Sequence, residues 1–114
     1  MSSDHRTPYL FVSYASADRE RVLALVARLE AVGVDIWIDR DGIHGGANYA
    51  QVISDAIKGA AALLLAASPA ALASRNVRQE LALGWRYEKP YLPLLLDPVE
   101  IPDELAYWLE GSQW

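Results

Sequence analysis

An apolar segment near the centre of this chain limits the folds that the chain can adopt. Residues 61–67 read Ala-Ala-Leu-Leu-Leu-Ala-Ala, with no polar residue at alternate positions. A strand with one solvated face alternates apolar and polar residues, whereas a central parallel strand is covered on both faces and stays apolar throughout. Even when it is extended back to Gly59, the segment is far shorter than the ~20 residues of a membrane-spanning helix. The segment therefore predicts a central parallel strand.

Strand-like and helical segments alternate on both sides of this strand. Short, mostly apolar segments predict three further strands, at residues 9–13, 34–38 and 91–96. Apolar residues at helical spacing predict helices at residues 16–32, 49–58 and 68–85, and a short one within residues 101–109. We expect Gly33 to end the first helix, Ser16 and Ser68 to cap the first and third, and the third to break near Ser74. Pro93 places the fourth strand at an edge or a bulge of the sheet.

This alternation predicts a single α/β domain with a parallel sheet, right-handed crossovers and helices on both faces. At 114 residues, the chain is long enough for one hydrophobic core and too short for two. We expect a flavodoxin-like strand order, a domain over residues 9–114 and a polar N-terminal tail over residues 1–8. The polar turn at residues 111–114 suggests a module cut from a longer protein, in which a fifth strand would follow.

Charge and residue usage exclude several classes of function. The net charge of -5 and the pI near 4.8 argue against nucleic-acid binding, which needs basic residues to displace counterions from phosphates. The chain has no cysteine and only two histidines, His5 and His44, so we expect no disulfide, no thiolate nucleophile and no metal site. The N-terminal residues lack the apolar core of a signal peptide. We therefore expect a cytoplasmic domain without membrane contacts.

Four motifs, each weak alone, stand in a specific order along the chain. They are Phe11-Val-Ser-Tyr14 with Ser16 and Asp18, Trp37-Ile-Asp39 with the glycine-bearing loop to Tyr49, Ser68-Pro69 with Ser74-Arg-Asn-Val-Arg-Gln-Glu80-Leu81, and Lys89-Pro90-Tyr-Leu-Pro-Leu-Leu-Leu96. In this order and spacing they resemble the Toll/interleukin-receptor (TIR) domain family, bacterial type, over nearly the whole chain.

The resemblance implies an enzyme that cleaves NAD, with Glu80 as its catalytic carboxylate. In NAD-cleaving TIR domains a glutamate of this helix acts on the nicotinamide ribose, and Glu80 matches its position. Breaking the N-glycosidic bond builds positive oxocarbenium character, which a nearby carboxylate stabilises. Many catalytic members carry Trp-Cys four and three residues before the glutamate, where this chain has Asn76 and Val77, a pair that resembles bacterial members. NAD is then the substrate, and no other cofactor is expected.

The helical pattern places Glu80 at the margin of the apolar stripe, half in the core and half out. We expect open space beside it, because Gly84 has no side chain on the same side. The competing interpretation is a surface glutamate paired with one of the arginines of the same helix, which are Arg75, Arg78 and Arg86.

The carboxyl ends of parallel strands are where such sheets bind ligands. Residues there and in the adjoining segments are the predicted contacts with NAD: Ser13, Tyr14, Ser16, Asp39, Arg40, Tyr49, Ser68 and Asn76. Arg40 is suited to bidentate contact with a pyrophosphate, or else is a solvated loop residue. An aromatic surface for the substrate is expected from Tyr14, Trp37 or Tyr49, each of which could equally belong to the core.

The resemblance also implies partners and an alternative function. In the family, the loop that here lies between Gly42 and Asn48 completes the site of the next copy, and head-to-tail contacts of this kind propagate into filaments. We therefore expect homo-oligomers, activity that depends on assembly, and an effector role in a bacterial immune or signalling protein. The alternative is a scaffold that signals only through TIR–TIR contacts. A phosphorelay receiver is excluded, because it needs an aspartate where this chain has Ala66-Ala67-Ser68.

Overall fold

The computed structural model of the protein describes residues 8–39 and 48–110. Within them, four strands form one sheet: β1 (Tyr9–Ser13), β2 (Asp35–Trp37), β3 (Ala62–Ala67) and β4 (Tyr91–Leu95). Their order across the sheet is β2-β1-β3-β4, and every neighbouring pair is parallel. This is the flavodoxin-like order, so the fold class expected from the alternating sequence pattern is confirmed.

In the described ranges, five α-helices join and follow the strands: α1 (Arg19–Ala31), α2 (Tyr49–Gly59), α3 (Pro69–Ala73), α4 (Arg75–Arg86) and α5 (Asp103–Glu110). The break expected near Ser74 separates α3 from α4. Ser68 caps α3 by accepting from the Ala71 N–H at 3.0 Å, and Ser74 caps α4 by accepting from the Val77 N–H at 3.2 Å. Ser16 does not cap α1. It begins a short 3₁₀ turn, Ser16–Asp18, after which α1 starts.

The central strand β3 is buried along its whole length, as its uninterrupted apolar sequence predicts. Because alternate residues of a strand face opposite sides, β3 contributes to two cores. Leu64 packs with Val22 and Val26 of α1 on one face. Leu63 and Leu65 pack on the other face, in the core that α2, α3, α4 and α5 share. Helices thus cover both faces of the sheet.

Single residues fix the ends of these elements. Gly33 follows α1 with a φ of 95°, a left-handed conformation that favours glycine, and its N–H donates to the Glu30 carbonyl at 3.0 Å. Pro93 lies in β4, whose only neighbour in the described sheet is β3, so the missing N–H is tolerated at an edge. In the part of the chain that the structure describes, no helix has the length and apolar character needed to cross a bilayer.

Candidate functional site

A cleft opens where β1 and β2 end, between the first turns of α2 and α4. Ten residues line it: Phe11, Val12, Tyr14, Ser16, Trp37, Asp39, Tyr49, Ser74, Asn76 and Glu80. They come from four elements and the connections between them, so the parallel sheet gathers residues that are far apart in sequence. Five of the eight predicted NAD contacts are among them, namely Tyr14, Ser16, Asp39, Tyr49 and Asn76.

Glu80 lies in the second turn of α4 and is held by the end of β1. Its neighbours Val77 and Leu81 are fully buried, whereas the Glu80 side chain is only partly buried and borders the cleft. The buried hydroxyl of Ser13 donates a hydrogen bond to its Oε1 atom at 2.6 Å. Within the described residues Glu80 makes no ion pair, and Arg78 instead pairs with Glu104. Among the described residues, Glu80 is therefore not a surface glutamate paired with an arginine of α4.

The surroundings of Glu80 disfavour its charged form. Burial raises the pKa of Glu80 to about 7, and the negative charge of Asp39 adds to that increase. The hydrogen bond from Ser13 acts in the opposite direction, because it stabilises the carboxylate. A carboxyl group with such a pKa is poised to exchange a proton or to carry a charge near neutral pH.

Two tyrosines contact Asp39, the last described residue after β2. The Tyr14 hydroxyl donates to the Asp39 backbone carbonyl at 2.7 Å, and the Tyr49 hydroxyl lies 3.5 Å from Asp39 Oδ2. Burial is the largest cause that raises the pKa of Tyr49 to about 12, and the charges of Glu80 and Asp39 contribute. Burial also raises the pKa of Tyr14, against the effect of Arg19. Both phenols therefore stay neutral near pH 7 and remain hydrogen-bond donors beside the cleft.

The inner wall of the cleft is aromatic. Phe11 and Trp37 are register partners on β1 and β2, and their rings stack with centroids 5.0 Å apart and planes 8° from parallel. Phe11 is buried, whereas Trp37, Tyr14 and Tyr49 are each partly exposed. The three aromatic residues considered in the sequence therefore belong both to the core margin and to the cleft.

A second cavity, which sequence reasoning missed, continues from the cleft along the groove between α2 and α4. It has a volume of about 250 Å³ and is lined by Tyr49, Ala50, Ile53, Asn76, Gln79, Glu80 and Leu83. It shares Tyr49, Asn76 and Glu80 with the cleft, so the two spaces adjoin at the carboxylate. The sequence pattern places Ile53 on an apolar face of α2 and Leu83 on an apolar face of α4. It does not show that these two faces meet, because that depends on how the helices pack.

The expectation that Gly84 leaves open space beside Glu80 is wrong. A Cβ atom at this position would lie 2.8 Å from Leu63 Cδ2 and 3.1 Å from the Tyr91 hydroxyl. Gly84 instead lies close against side chains of β3 and β4, which occupy the space that a Cβ atom would need. The open space near Glu80 lies on the side of Tyr49 and Asn76.

Three predicted contacts stand apart from the cleft lining. Ser13 is fully buried and meets the cleft only through Glu80. Ser68 is also fully buried, and its hydroxyl donates to the carboxylate of Asp18. Arg40 lies outside the described residues, as do His5, His44 and the loop residues 42–47. Among the residues described, no group of three or more His, Cys, Asp or Glu side chains is arranged to hold a metal ion.

The Ser68–Asp18 pair belongs to a network that links three strand ends. Asp18, which is 8% exposed, also accepts from Arg21 Nη2 at 3.0 Å. Arg21 in turn binds both carboxylate oxygens of Asp97, after β4, at 3.0 and 2.6 Å. The arginine hydrogen bond lowers the pKa of Asp97. The network fixes the 3₁₀ turn that carries Ser16 into the cleft.

The chain is similar to known TIR domains in sequence and in fold. The family described as TIR domain matches residues 10–114. The structure is similar to the TIR domain of the Toll-related receptor TRR-2 from Hydra magnipapillata, with 27% sequence identity, coverage of 89% of this chain and 80% of that chain, and a TM-score of 0.75. No curated protein sequence matches the chain.

Two larger proteins share the fold at lower identity. The TIR domains of the activated Roq1 resistosome, which recognises the pathogen effector XopQ, are 18% identical over 78% of this chain and 57% of that chain, with a TM-score of 0.64. A metazoan TIR-STING receptor from C. gigas is 23% identical over 95% of this chain and 39% of that chain, with a TM-score of 0.70.

Proposed function

The chain belongs to the TIR domain family, and from that premise we propose that it cleaves NAD between nicotinamide and ribose, with Glu80 as the catalytic carboxylate. The observation that carries this proposal is a partly buried glutamate, with a pKa raised to about 7, at the edge of an aromatic cleft. Strongly perturbed carboxyl groups in clefts are characteristic of functional sites.

The chemistry of this reaction suits a carboxylate in that position. When the bond between the ribose C1′ and the nicotinamide nitrogen breaks, its electron pair leaves with nicotinamide, and positive charge develops on the ribose. The ionised Glu80 stabilises that charge and accepts hydrogen bonds from the ribose hydroxyls. Water then attacks C1′ and releases a proton to solvent, which gives ADP-ribose, or a nitrogen of the adenine attacks C1′ to give a cyclic product. NAD serves as substrate, and no further cofactor is proposed.

The cleft residues divide into proposed direct contacts and supports. We assign contacts with NAD to Tyr14, Ser16, Asp39, Tyr49 and Asn76, which line the cleft. Arg40 is proposed as a pyrophosphate contact from its place in the sequence after β2 and from the bidentate geometry of its guanidinium group. Ser13 and Ser68 are buried behind the cleft, where their hydroxyls donate to the carboxylates of Glu80 and Asp18, and no direct contact with NAD is proposed for either.

We further propose that the domain acts as an assembled effector. TIR domains commonly self-associate, and the structural relatives include the TIR domains of an activated resistosome. For this chain we propose a homo-oligomer or filament formed through residues 42–48, in a cytoplasmic immune or signalling protein of bacterial type. Activity that rises with protein concentration more steeply than in direct proportion supports this proposal, and a constant specific activity contradicts it.

The test of the enzyme is nicotinamide release from NAD, followed by chromatography. The wild-type chain, at high concentration or on a clustering scaffold, is compared with Glu80→Ala and Glu80→Gln. Glu20→Gln serves as the matched control, because Glu20 is an exposed glutamate of α1. We expect release by the wild type and by Glu20→Gln, and none by the Glu80 variants when circular dichroism shows them folded. Release that persists in the Glu80 variants refutes the assignment.

A second candidate function is a scaffold that works through TIR–TIR contacts without chemistry. The observation in its favour is size, since the groove beside Glu80 holds only about 250 Å³, less than the roughly 300–1,000 Å³ of typical small-molecule sites. An assembled wild type that releases no nicotinamide would favour this function.

A further inference from the structure

We propose that Ser13 is the positioning residue of the Glu80 carboxylate: its buried hydroxyl fixes Oε1 and directs the other carboxylate oxygen towards the cleft. This inference rests on the proposed function of Glu80. It adds a role that the sequence did not indicate, because Ser13 was expected to touch the substrate.

The geometry excludes direct contact between Ser13 and a ligand in the cleft. Ser13 has no exposed surface, and it is absent from the residues that line the cleft. Its hydroxyl lies 2.6 Å from Glu80 Oε1, a short distance typical of a hydrogen bond to a charged oxygen. Glu80 itself lines the cleft, so the carboxylate that Ser13 holds borders the space that a ligand would occupy.

The hydrogen bond from Ser13 stabilises the ionised form of Glu80, whereas burial and the charge of Asp39 both disfavour it. Asp39, after β2, repels the carboxylate, and Tyr14 and Tyr49 face it as neutral phenols. The flanking residues of α4 that border the cavity, Asn76 and Gln79, are uncharged. Within the described ranges, the Ser13 hydrogen bond is the one interaction that lowers the pKa of Glu80. Loss of this hydroxyl should therefore free the side chain to rotate and favour its protonated form.

The direct experiment measures the Glu80 titration by carbon NMR of glutamate-labelled protein, without substrate. The Glu80 signal is assigned by its absence in Glu80→Gln. We expect a midpoint near 7 for the wild type, and a midpoint about one to two pH units higher for Ser13→Ala, since a hydrogen bond to a charged group is worth that much. Ser13→Thr keeps the hydroxyl and should titrate close to the wild type. Ser54→Ala, which removes a hydroxyl bound to Tyr87, is the control.

A second readout separates positioning from a purely structural role. In NAD turnover, kcat/KM of Ser13→Ala should fall at least about fivefold at pH 7, because less of Glu80 is ionised, and the loss should shrink as the pH rises towards 9. If the alanine variant does not fold, Ser13→Cys keeps nearly the same volume and weakens the donor, with a smaller shift in the same direction.

The outcomes distinguish this inference from the proposed function. A shifted titration in a protein that releases no nicotinamide even when assembled on a clustering scaffold supports the role of Ser13 and contradicts NAD cleavage. An unshifted titration in both Ser13→Ala and Ser13→Cys overturns the positioning role, even if the wild type is active. A loss of activity that is equal at every pH overturns it as well.

Discussion

Replacing Glu80 with glutamine should stabilise the protein relative to the wild type as the pH rises. The pKa of Glu80 is raised by folding, so the folded state binds a proton more tightly than the unfolded state does. The contribution of this group to stability is therefore complete below its unfolded pKa. It is lost as the pH rises through the folded pKa. Glutamine has no proton to lose and carries no such penalty.

The size of the effect follows from the two pKa values. The increase from 4.5 to about 7 spans two and a half pH units. Each unit corresponds to about 1.4 kcal/mol, so the full effect is about 3–4 kcal/mol. Because the side chain is partly exposed, solvent screening reduces this figure, and we expect about 2 kcal/mol between roughly pH 5 and pH 8.5. That amount is a large fraction of the ~5–15 kcal/mol that stabilises a typical domain.

Urea unfolding, followed by tryptophan fluorescence, measures this difference. The free energies of unfolding of wild type and Glu80→Gln are compared at each pH, so that titrations common to both proteins cancel. Glu20→Gln repeats the change of charge at an exposed site and is the matched control. If the difference between Glu80→Gln and wild type does not change with pH, Glu80 is not perturbed and the electrostatic argument for the site fails.

Two predictions concern the packing that supports the site. Gly84→Ala should lower the free energy of unfolding by about 1–2 kcal/mol, because overpacking against Leu63 and the Tyr91 hydroxyl exceeds the gain of ~1 kcal/mol in helix propensity. Thermal unfolding tests this prediction. An alanine variant as stable as the wild type would contradict the close approach. Ser68→Ala should lower the free energy of unfolding by about 2–4 kcal/mol, since it removes both a helix cap and a donor to buried Asp18. Ser74→Ala removes only a cap and should lower it by about 1 kcal/mol. Equal losses for the two variants in urea unfolding would refute a role for the Asp18 bond.

The fold could be predicted from the sequence because its signals are local. The uninterrupted apolar residues of β3 require cover on both faces, and the change from helical spacing to short apolar segments marks each element. Gly33 and Ser74 mark boundaries through their own backbone and side-chain preferences. Once the elements alternate, few parallel topologies remain.

The site could be predicted only in part, because it depends on distances between elements. The family resemblance indicated Glu80, and the helical pattern placed it at the margin of the α4 stripe, but the rotation of the helix that brings it 2.6 Å from Ser13 has no local signal. Gly84 shows the same limit: a missing side chain is compatible with open space or with close approach, and only the position of β3 decides between them. Asp18 was recognised as part of a motif, but its bond with Ser68 joins residues on two different strand ends.

The molecule contains two serine–carboxylate pairs, Ser68–Asp18 and Ser13–Glu80, and their surroundings differ. Asp18 receives hydrogen bonds from Ser68 and from a guanidinium group, so its charge is balanced and its oxygens are occupied, as expected of a structural carboxylate. Glu80 receives one hydrogen bond, faces a second negative charge and has a pKa of about 7. Burial of such a group destabilises the fold, and a scaffold gains nothing from it. The contrast favours Glu80 as the residue that acts on a ligand. The difference in the free energy of unfolding between Glu80→Gln and the wild type at high pH measures the stability that the fold loses by burying this carboxylate.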